Sequence, residues 1–305
     1  TFPWVFNPPM TYWDGASVAV KYIGGKEGGL AKLKGKTIGF IYLDAPYGKE
    51  PIPLLEDLAK EYGFKLMKYP VPGDKMQDQS SQWLNVQSDA PDWMIMWGWG
   101  AMNPTAVKEA AKIGYPMDHF IGVWFSGGDD DAKAGGAGAK GFLTLNFNGT
   151  GADYPAIADI KKYVVAKGLS QVKSDDRVGE NNYNHGVYNS MLIAEAIRNA
   201  QKIAGKKQVE AADVRAGLET LSVDAARIKE MGLEGFMAPM KVSCDDHSGE
   251  NPVFVQQWDG AKWVKVSDWI EPMKDKIRPM LLADAKAYAD KNAPWPARTE
   301  ACGGR

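Results

Sequence analysis

The sequence predicts an α/β fold built on a doubly wound parallel sheet, and three observations carry that prediction. Strand-like and helix-like segments alternate over residues 37–125, the order that a parallel sheet with crossover helices requires. The run WMIMW at 93–97 is uniformly apolar and too short to span a membrane, which is typical of a strand buried on both faces. The 305 residues, 45% of them hydrophobic, suffice for a large core and about two domains.

The charge balance excludes several kinds of partner. The chain has 36 basic and 38 acidic residues and a net charge of −2, which gives no electrostatic reason to expect nucleic acid or an anionic membrane surface. No apolar run reaches the roughly 18 residues of a transmembrane helix, so we expect no membrane insertion. The sequence opens at Thr1 without a signal peptide, and we expect a processed or truncated product.

The two cysteines, Cys244 and Cys302, are too few and too widely separated for a zinc site. A disulfide that ties the C-terminal tail to the body is the economical interpretation, and it would imply an oxidising compartment. Two unrelated thiols are the alternative.

The first part of the chain carries the regular alternation. Residues 1–10 (TFPWVFNPPM) are a predicted aromatic strand ended by two prolines, and 11–23 a predicted helix ended by two glycines. Asn103 is the predicted cap of a helix that begins at Pro104. The predicted strands are 37–43, 64–69, 92–97 and 119–125, and the helices between them are 52–62, 77–87 and 104–113.

The pattern changes after residue 125. Residues 127–140 are a predicted loop, and 141–147 a predicted strand that takes the chain away from the first sheet. The turn Asp259-Gly260 predicts a hairpin between two late strands. The remaining predicted elements are helices at 154–167, 183–203, 209–221 and 279–289 and strands at 238–243, 253–258 and 263–266.

Aromatic residues follow the predicted parallel strands. Tyr47 comes after the first strand, Trp97 and Trp99 close the third, and Trp124 and Phe125 lie at the end of the fourth. Right-handed crossovers bring the carboxyl ends of these strands to one edge, where open α/β sheets bind their ligands. We therefore predict an aromatic wall along a ligand-binding edge, with plain core packing as the alternative for Trp97 and Trp99.

The sequence offers no catalytic constellation. Gly136, Gly138 and Gly141 satisfy G-x-G-x-x-G, but an acidic loop precedes them and a β-rich segment follows, whereas the dinucleotide motif follows a strand and opens a helix. The three aspartates at 129–131 are typical of a solvated turn. The three histidines are scattered and near no nucleophile, so we expect no enzyme, no cofactor and no metal site.

The order of motifs carries a resemblance to a known family. Residues 36–124 contain, in this order, a strand, the motif D-x-x-Y-G, a helix, a buried strand ending in Gly-aromatic, a helix and a strand with F-I-G. Further along, NNYNHGVYNS at 181–190 begins a long helix. This arrangement resembles the substrate-binding proteins of branched-chain amino-acid-type ABC transporters over nearly the whole chain. The resemblance implies a type I periplasmic binding protein with two lobes, each a doubly wound parallel sheet, that close on the ligand about a hinge. It further implies a monomer in the bacterial periplasm that binds a small molecule and delivers it to ABC permease subunits.

The resemblance also divides the chain. It implies a hinge crossing at 1–10, a ligand-binding second lobe from 11–125 and 253–270, the remainder of the first lobe at 141–252, and a C-terminal helix and tail at 271–305. Family members begin with a longer segment that forms the sheet of the first lobe. We therefore expect that lobe to be N-terminally incomplete, which would leave the predicted helices after residue 154 without the sheet that they cover.

The implied ligand follows from departures within the motifs. In the amino-acid binders that the chain resembles, a Tyr stands at Tyr47, a second Tyr at Trp99, and a Glu that neutralises the ligand's ammonium group at Trp124. A buried ammonium left unpaired costs several kcal/mol, which disfavours an α-amino acid here. The stretch FIGVWFSGGDDD at 120–131 looks most like the subgroup that takes up aromatic acids such as benzoate or cinnamate derivatives. Cysteines at similar places in that subgroup favour the disulfide.

These implications lead to a predicted site and to its alternatives. We expect an aromatic ring to be held by the aromatic residues of the edge, and a carboxylate by polar groups at Asn7, Ser126 or Asn146. One alternative is a binder of branched-chain or other amino acids or amides. A sensory ligand-binding domain of the same fold and an α/β enzyme are the others.

Overall fold

A computed structural model describes residues 2–172, 175–249, 251–295, 298 and 302 of the chain. Thr1, expected in the hinge crossing, and much of the expected tail after residue 295 lie outside the described residues. The helices are α1 Tyr12–Lys26, α2 Pro46–Lys49, α3 Ile52–Tyr62, α4 Ser80–Asp89, α5 Met102–Lys112, α6 Asp129–Lys133, α7 Pro155–Ile160, α8 Asn181–Ala204, α9 Ala211–Glu219, α10 Ala225–Glu230 and α11 Lys274–Lys291. The strands are β1 Thr37–Leu43, β2 Lys65–Val71, β3 Trp93–Trp97, β4 Phe120–Gly122, β5 Leu143–Asn146, β6 Ser222–Val223, β7 Met240–Lys241, β8 Phe254–Trp258 and β9 Trp263–Lys265.

A seven-stranded sheet in the order β2-β1-β3-β4-β5-β8-β9 organises the molecule. Strands β1 to β5 are parallel, and β8 and β9 continue the sheet in antiparallel fashion. Every residue of β3 is buried, as its uniformly apolar sequence predicts. The predicted α/β fold with a mostly parallel sheet is confirmed, and the strand order reverses between β1 and β3.

Helices cover both faces of this sheet, as doubly wound topology requires. Side chains of β1 alternate between the two cores: Ile38 and Phe40 pack with α1 and α3, and Ile41 packs with α4 and α5. Helix α1 reaches the end of β3, where a Cβ at Gly15 would lie 3.4 Å from Cη2 of Trp97.

The start of α1 is fixed by a capping box. The Thr11 amide donates to Asp14 Oδ2 at 2.9 Å, and the Asp14 amide donates to Thr11 Oγ1 at 3.2 Å. The helix passes through Gly24 and Gly25 to Lys26, so the predicted end at these glycines is wrong. Gly24 instead allows close packing, because a Cβ there would lie 2.8 Å from a methyl carbon of Leu30.

Three local expectations are wrong, each for a reason that the structure shows. Described residues 2–10 form turns rather than a strand, because the prolines leave few backbone N–H groups to pair with a neighbouring strand. The backbone N–H of Asn7 instead donates to the backbone carbonyl of His247 at 3.2 Å. Asn103 lies inside α5 rather than capping it, and its side chain donates to the Phe125 carbonyl at 2.9 Å. The strand expected over 119–125 ends at Gly122, since the chain tightens into a 3-10 turn at Trp124–Ser126.

The expected departure of the chain from the sheet at residue 141 is also wrong. Strand β5 pairs with β4 on one side and β8 on the other, so the chain remains in the sheet through Asn146. The loop expected at 127–140 contains α6, and the last helix begins at Lys274, before Pro279. The hairpin at Asp259-Gly260 is confirmed, with β8 and β9 paired across it. The limits of the two lobes stay a prediction.

The C-terminal tail is tied to the body, as expected. Cys244 and Cys302 form a disulfide across a sequence separation of 58 residues. Arg298 donates from Nη2 to both carboxylate oxygens of Glu219, at 2.7 and 2.9 Å, which joins the tail to the end of α9. The tail is therefore held both covalently and by an ion pair.

Candidate functional site

The candidate site lies where the strand order reverses, at the carboxyl ends of β1 and β3. The phenol of Tyr47, in α2 after β1, donates to the carbonyl of Gly98 after β3 at 3.0 Å. This hydrogen bond joins the two loops that flank the reversal, and the ring of Trp99 lies edge-on to that of Tyr47, with centroids 6.4 Å apart. Crevices at such a point are where open α/β sheets accommodate ligands.

Aromatic rings fill this edge and form one contiguous group, which we call the aromatic cluster. The rings of Tyr12 and Trp124 stack with centroids 5.3 Å apart and 15° between their planes. The ring of Phe125 meets that of Trp99 edge-on at 4.9 Å. The members are Tyr12, Tyr47, Trp97, Trp99, Trp124, Phe125, Phe147 and His185.

The predicted aromatic residues lie together but at different depths. Trp99 is 51% exposed, and Tyr47 and Phe125 are half-buried, so these rings form the accessible face of the aromatic cluster. Trp97 is 0% and Trp124 5% exposed, so both lie behind that face. Core packing, the alternative for Trp97, accounts for its position. The roles of all five residues in ligand binding stay a prediction.

The three predicted polar residues differ in exposure and in hydrogen bonding, and their role in ligand binding stays a prediction. Asn7 is exposed, and Ser126 is fully buried, with a hydroxyl that has no hydrogen-bond partner in the described part of the chain. Asn146 is fully buried and donates to Asn181 at 2.6 Å and to Gln256 at 3.1 Å. The amide hydrogens of Asn146 are therefore already engaged within the protein.

Asn146 belongs to a buried set of polar side chains that we call the amide network. It joins the end of β5 to β8 and to the beginning of α8, and its members are Thr144, Asn146, Thr150, Asn181, His185 and Gln256. Nε2 of His185 lies 3.0 Å from Asn146 Oδ1, and burial lowers the pKa of this imidazole to about 4. The neutral ring therefore suits the uncharged amides around it.

A cavity of about 840 Å³ adjoins the aromatic cluster on the side of α2 and α11, and Tyr47 and Asn7 both line it. Glu50, one turn after Tyr47, and Asp284 of α11 also line it. Desolvation, and secondly the negative charge of Asp284, raise the pKa of the Glu50 carboxyl to about 7. Neither carboxylate forms an ion pair with another described residue. The residue as a whole is exposed, so Glu50 offers the site an accessible carboxyl group with a raised pKa.

Sequence reasoning missed Tyr12 and Glu50. Tyr12 belongs to a helix that precedes the first strand, and only the packing of α1 against the sheet brings it to Tyr47, with ring centroids 5.0 Å apart. Glu50 lies in the same turn as Tyr47, and that proximity was a signal for its position at the site.

Two kinds of feature are absent from the part of the chain that the structure describes. It contains no group of three or more His, Cys, Asp or Glu side chains placed to hold a metal ion. No helix there combines the length and the apolarity needed to cross a membrane.

The sequence matches the family of periplasmic binding proteins over residues 1–262. Among solved structures, the chain is similar to a protein of the Pseudomonas fluorescens group described as an ABC transporter permease. The TM-score is 0.91 at 38% identity, and the match covers 98% of this chain and 72% of the other. No curated protein matches the sequence.

Two more distant structures share the fold. One is a branched-chain amino-acid ABC transporter protein of Thermus thermophilus with bound valine, with a TM-score of 0.70, 18% identity and coverage of 88% of this chain and 67% of the other. The other is a solute-binding ABC transporter protein of R. palustris in complex with benzoate, with a TM-score of 0.58, 15% identity and coverage of 85% and 64%. One fold thus accommodates an aliphatic amino acid in one protein and an aromatic acid in another.

Proposed function

The chain belongs to the periplasmic binding protein family, and from that membership we propose that it captures a small aromatic carboxylate between two lobes and delivers it to an ABC importer. It is a solute-binding protein rather than an enzyme, and proteins of this kind work outside the cytoplasm with permease subunits. We further propose that it acts as a monomer in the bacterial periplasm.

The aromatic cluster is the observation that carries the proposed ligand. Trp99, Tyr47 and Phe125 present ring surface at the point where a ligand enters, and Trp124 occupies the position that resembles the ammonium-binding Glu of amino-acid binders. A flat apolar ligand gains about 0.5–1.5 kcal/mol from each well-oriented aromatic pair beyond the burial of area. The benzoate complex of the R. palustris protein supports this ligand class only through a shared fold.

A second candidate, an amino acid or another amine, is favoured by Glu50. Its carboxyl group lines the cavity beside Tyr47 and supplies the negative charge that Trp124 lacks. The same carboxyl, whose pKa is raised to about 7, can in its protonated form donate a hydrogen bond to a ligand carboxylate. Glu50 is therefore compatible with both ligand classes, but in opposite protonation states.

Isothermal titration calorimetry of the natural protein with benzoate, cinnamate, leucine and valine tests the proposal. We expect both aromatic acids to bind and both amino acids to give no heat. Binding of leucine or valine alone would refute the aromatic ligand and favour the second candidate. Uptake by vesicles that contain the permease, with and without the protein, separates a transport role from a sensory one.

A further inference from the structure

We propose that the first turns of α1 set the shape of the ligand surface: Gly15 leaves the space in which the Trp124 indole lies, and Tyr12 covers that indole. The inference rests on the proposed function, since it gives α1 a part in ligand binding. Its geometric basis is the packing between α1 and the aromatic cluster, which is independent of any ligand.

Gly15 is buried on the face of α1 that meets the aromatic cluster. A Cβ at this position would lie 2.7 Å from Cζ3 and 3.1 Å from Cη2 of Trp124, and 3.4 Å from Cη2 of Trp97. The shortest of these separations is closer than real Cβ atoms come, and the obstacle is a rigid ring rather than the end of a flexible chain. Gly15 thus serves close approach, at the cost in helix stability that glycine carries.

The indole of Trp124 is enclosed on its other sides as well. The ring of Tyr12 stacks on it at 5.3 Å, and those of Phe147 and Phe125 lie 5.8 and 6.3 Å away. Protein interiors are close-packed, so an indole pushed away from α1 must displace one of these rings. Tyr12 and Phe125 are both partly exposed, and Phe125 meets Trp99 edge-on.

Tyr12 connects the buried and the accessible parts of the aromatic cluster. Its ring stacks on Trp124 on the inside, and it meets Tyr47 edge-on at 5.0 Å toward the cavity. Gly15 and Tyr12, one turn apart on the same helix, are therefore positioning residues. Through them, α1 sets how deeply the Trp124 indole is buried behind the accessible rings and where those rings lie.

The variant Gly15→Ala tests this inference, and Gly25→Ala is its matched control. Gly25 lies on the exposed side of the same helix, and a Cβ there would meet no atom within 4 Å. Benzoate and leucine affinities are measured by calorimetry. The 11 tryptophans are labelled as 5-fluorotryptophan, and the Trp124 resonance is assigned by its loss in Trp124→Phe. We expect Gly15→Ala to shift that resonance and to lower the affinity for the probe that binds by about tenfold. A loss of about tenfold corresponds to the lower part of the free-energy range that overpacking a core costs. Gly25→Ala should change neither the resonance nor the affinity.

A double-mutant cycle separates this role from general damage. Trp124→Phe removes Cζ3 and Cη2 of the indole, the two atoms that a Cβ at Gly15 would approach too closely, and leaves Cη2 of Trp97 at 3.4 Å, an ordinary contact. In this background Gly15→Ala should therefore have little further effect on affinity. An equal loss in both backgrounds would overturn the inference, as would an unchanged Trp124 resonance in Gly15→Ala. A shifted resonance with unchanged affinity would overturn the role in ligand binding.

The same experiment distinguishes failure of the proposed function. If the unmodified protein binds leucine and not benzoate, the aromatic ligand is refuted, and the Gly15→Ala comparison is made with leucine. If it binds neither probe, the proposed function fails for both, and the fluorine spectra alone decide whether α1 positions Trp124.

Discussion

We expect Glu50 to make ligand affinity depend on pH, and the sign of that dependence would identify the charge of the ligand. Its carboxyl has a pKa raised from 4.5 to about 7 by desolvation and by Asp284, and it lines the cavity beside Tyr47. Between about pH 6 and about pH 8 the protonated fraction of such a group falls about tenfold. A carboxylate ligand binds the protonated, neutral form better, so its affinity falls as the pH rises through 7. An ammonium ligand binds the ionised form better, and its affinity rises over the same interval.

Calorimetric titration with benzoate across this interval measures the effect. We expect the dissociation constant of the unmodified protein to increase by up to about tenfold, the limit set by the change in protonated fraction. The variant Glu50→Gln cannot ionise there, so it separates the contribution of Glu50 from that of every other group that lines the cavity. A benzoate affinity that does not vary with pH, or that varies equally in Glu50→Gln, would refute a contact between ligand and Glu50.

Other substitutions test the rest of the structure. Trp99→Ala should weaken the binding of an aromatic acid about tenfold while changing the unfolding free energy by less than about 0.5 kcal/mol, because Trp99 is 51% exposed. Trp4→Ala is the matched control, since Trp4 is 56% exposed, and an equal loss of affinity in both variants would contradict the role of Trp99. The double variant Cys244→Ser/Cys302→Ser opens a link across 58 residues and should lose about 4 kcal/mol of unfolding free energy in chemical denaturation, whereas an unchanged midpoint would mean that the Arg298–Glu219 pair suffices. Asn146→Ala should lower the unfolding free energy by about 1–3 kcal/mol, since it removes the hydrogen bonds of Asn146 with Asn181, Gln256 and His185, and it should leave ligand affinity unchanged. Weaker binding at full stability would instead support a direct contact with ligand.

The sheet was predictable from sequence because its signals are local. Strands β1, β3 and β4 are short apolar runs, helical patterns separate the strands from β1 to β4, and right-handed crossovers then fix the common edge at which Tyr47 and Trp99 lie. Strand β5 was predicted as a strand at 141–147, but its neighbours in the sheet were not. Its antiparallel neighbour β8 follows only after α8 and α9, so the sequence around 141–147 did not reveal that the chain stays in the sheet.

The depth of each aromatic side chain was not predictable for a related reason. Trp97, Trp99 and Trp124 have the same chemistry, and what separates buried from exposed is a helix that closes over two of them at a glycine. Asn103 shows the same limit. Its capping propensity is a local preference, and a hydrogen bond to the Phe125 carbonyl in another loop overrides it.

The amide network has a consequence for where this protein works. The medium outside the cytoplasm varies in acidity and ionic strength, and ion pairs at the surface weaken as salt screens them. The junction of β5, β8 and α8 is held by neutral amides and hydroxyls, with a histidine whose pKa of about 4 keeps it uncharged in all but strongly acidic media. Neither salt nor a moderate change of pH alters the charges of this network, so its hydrogen bonds persist over a wide range of external conditions.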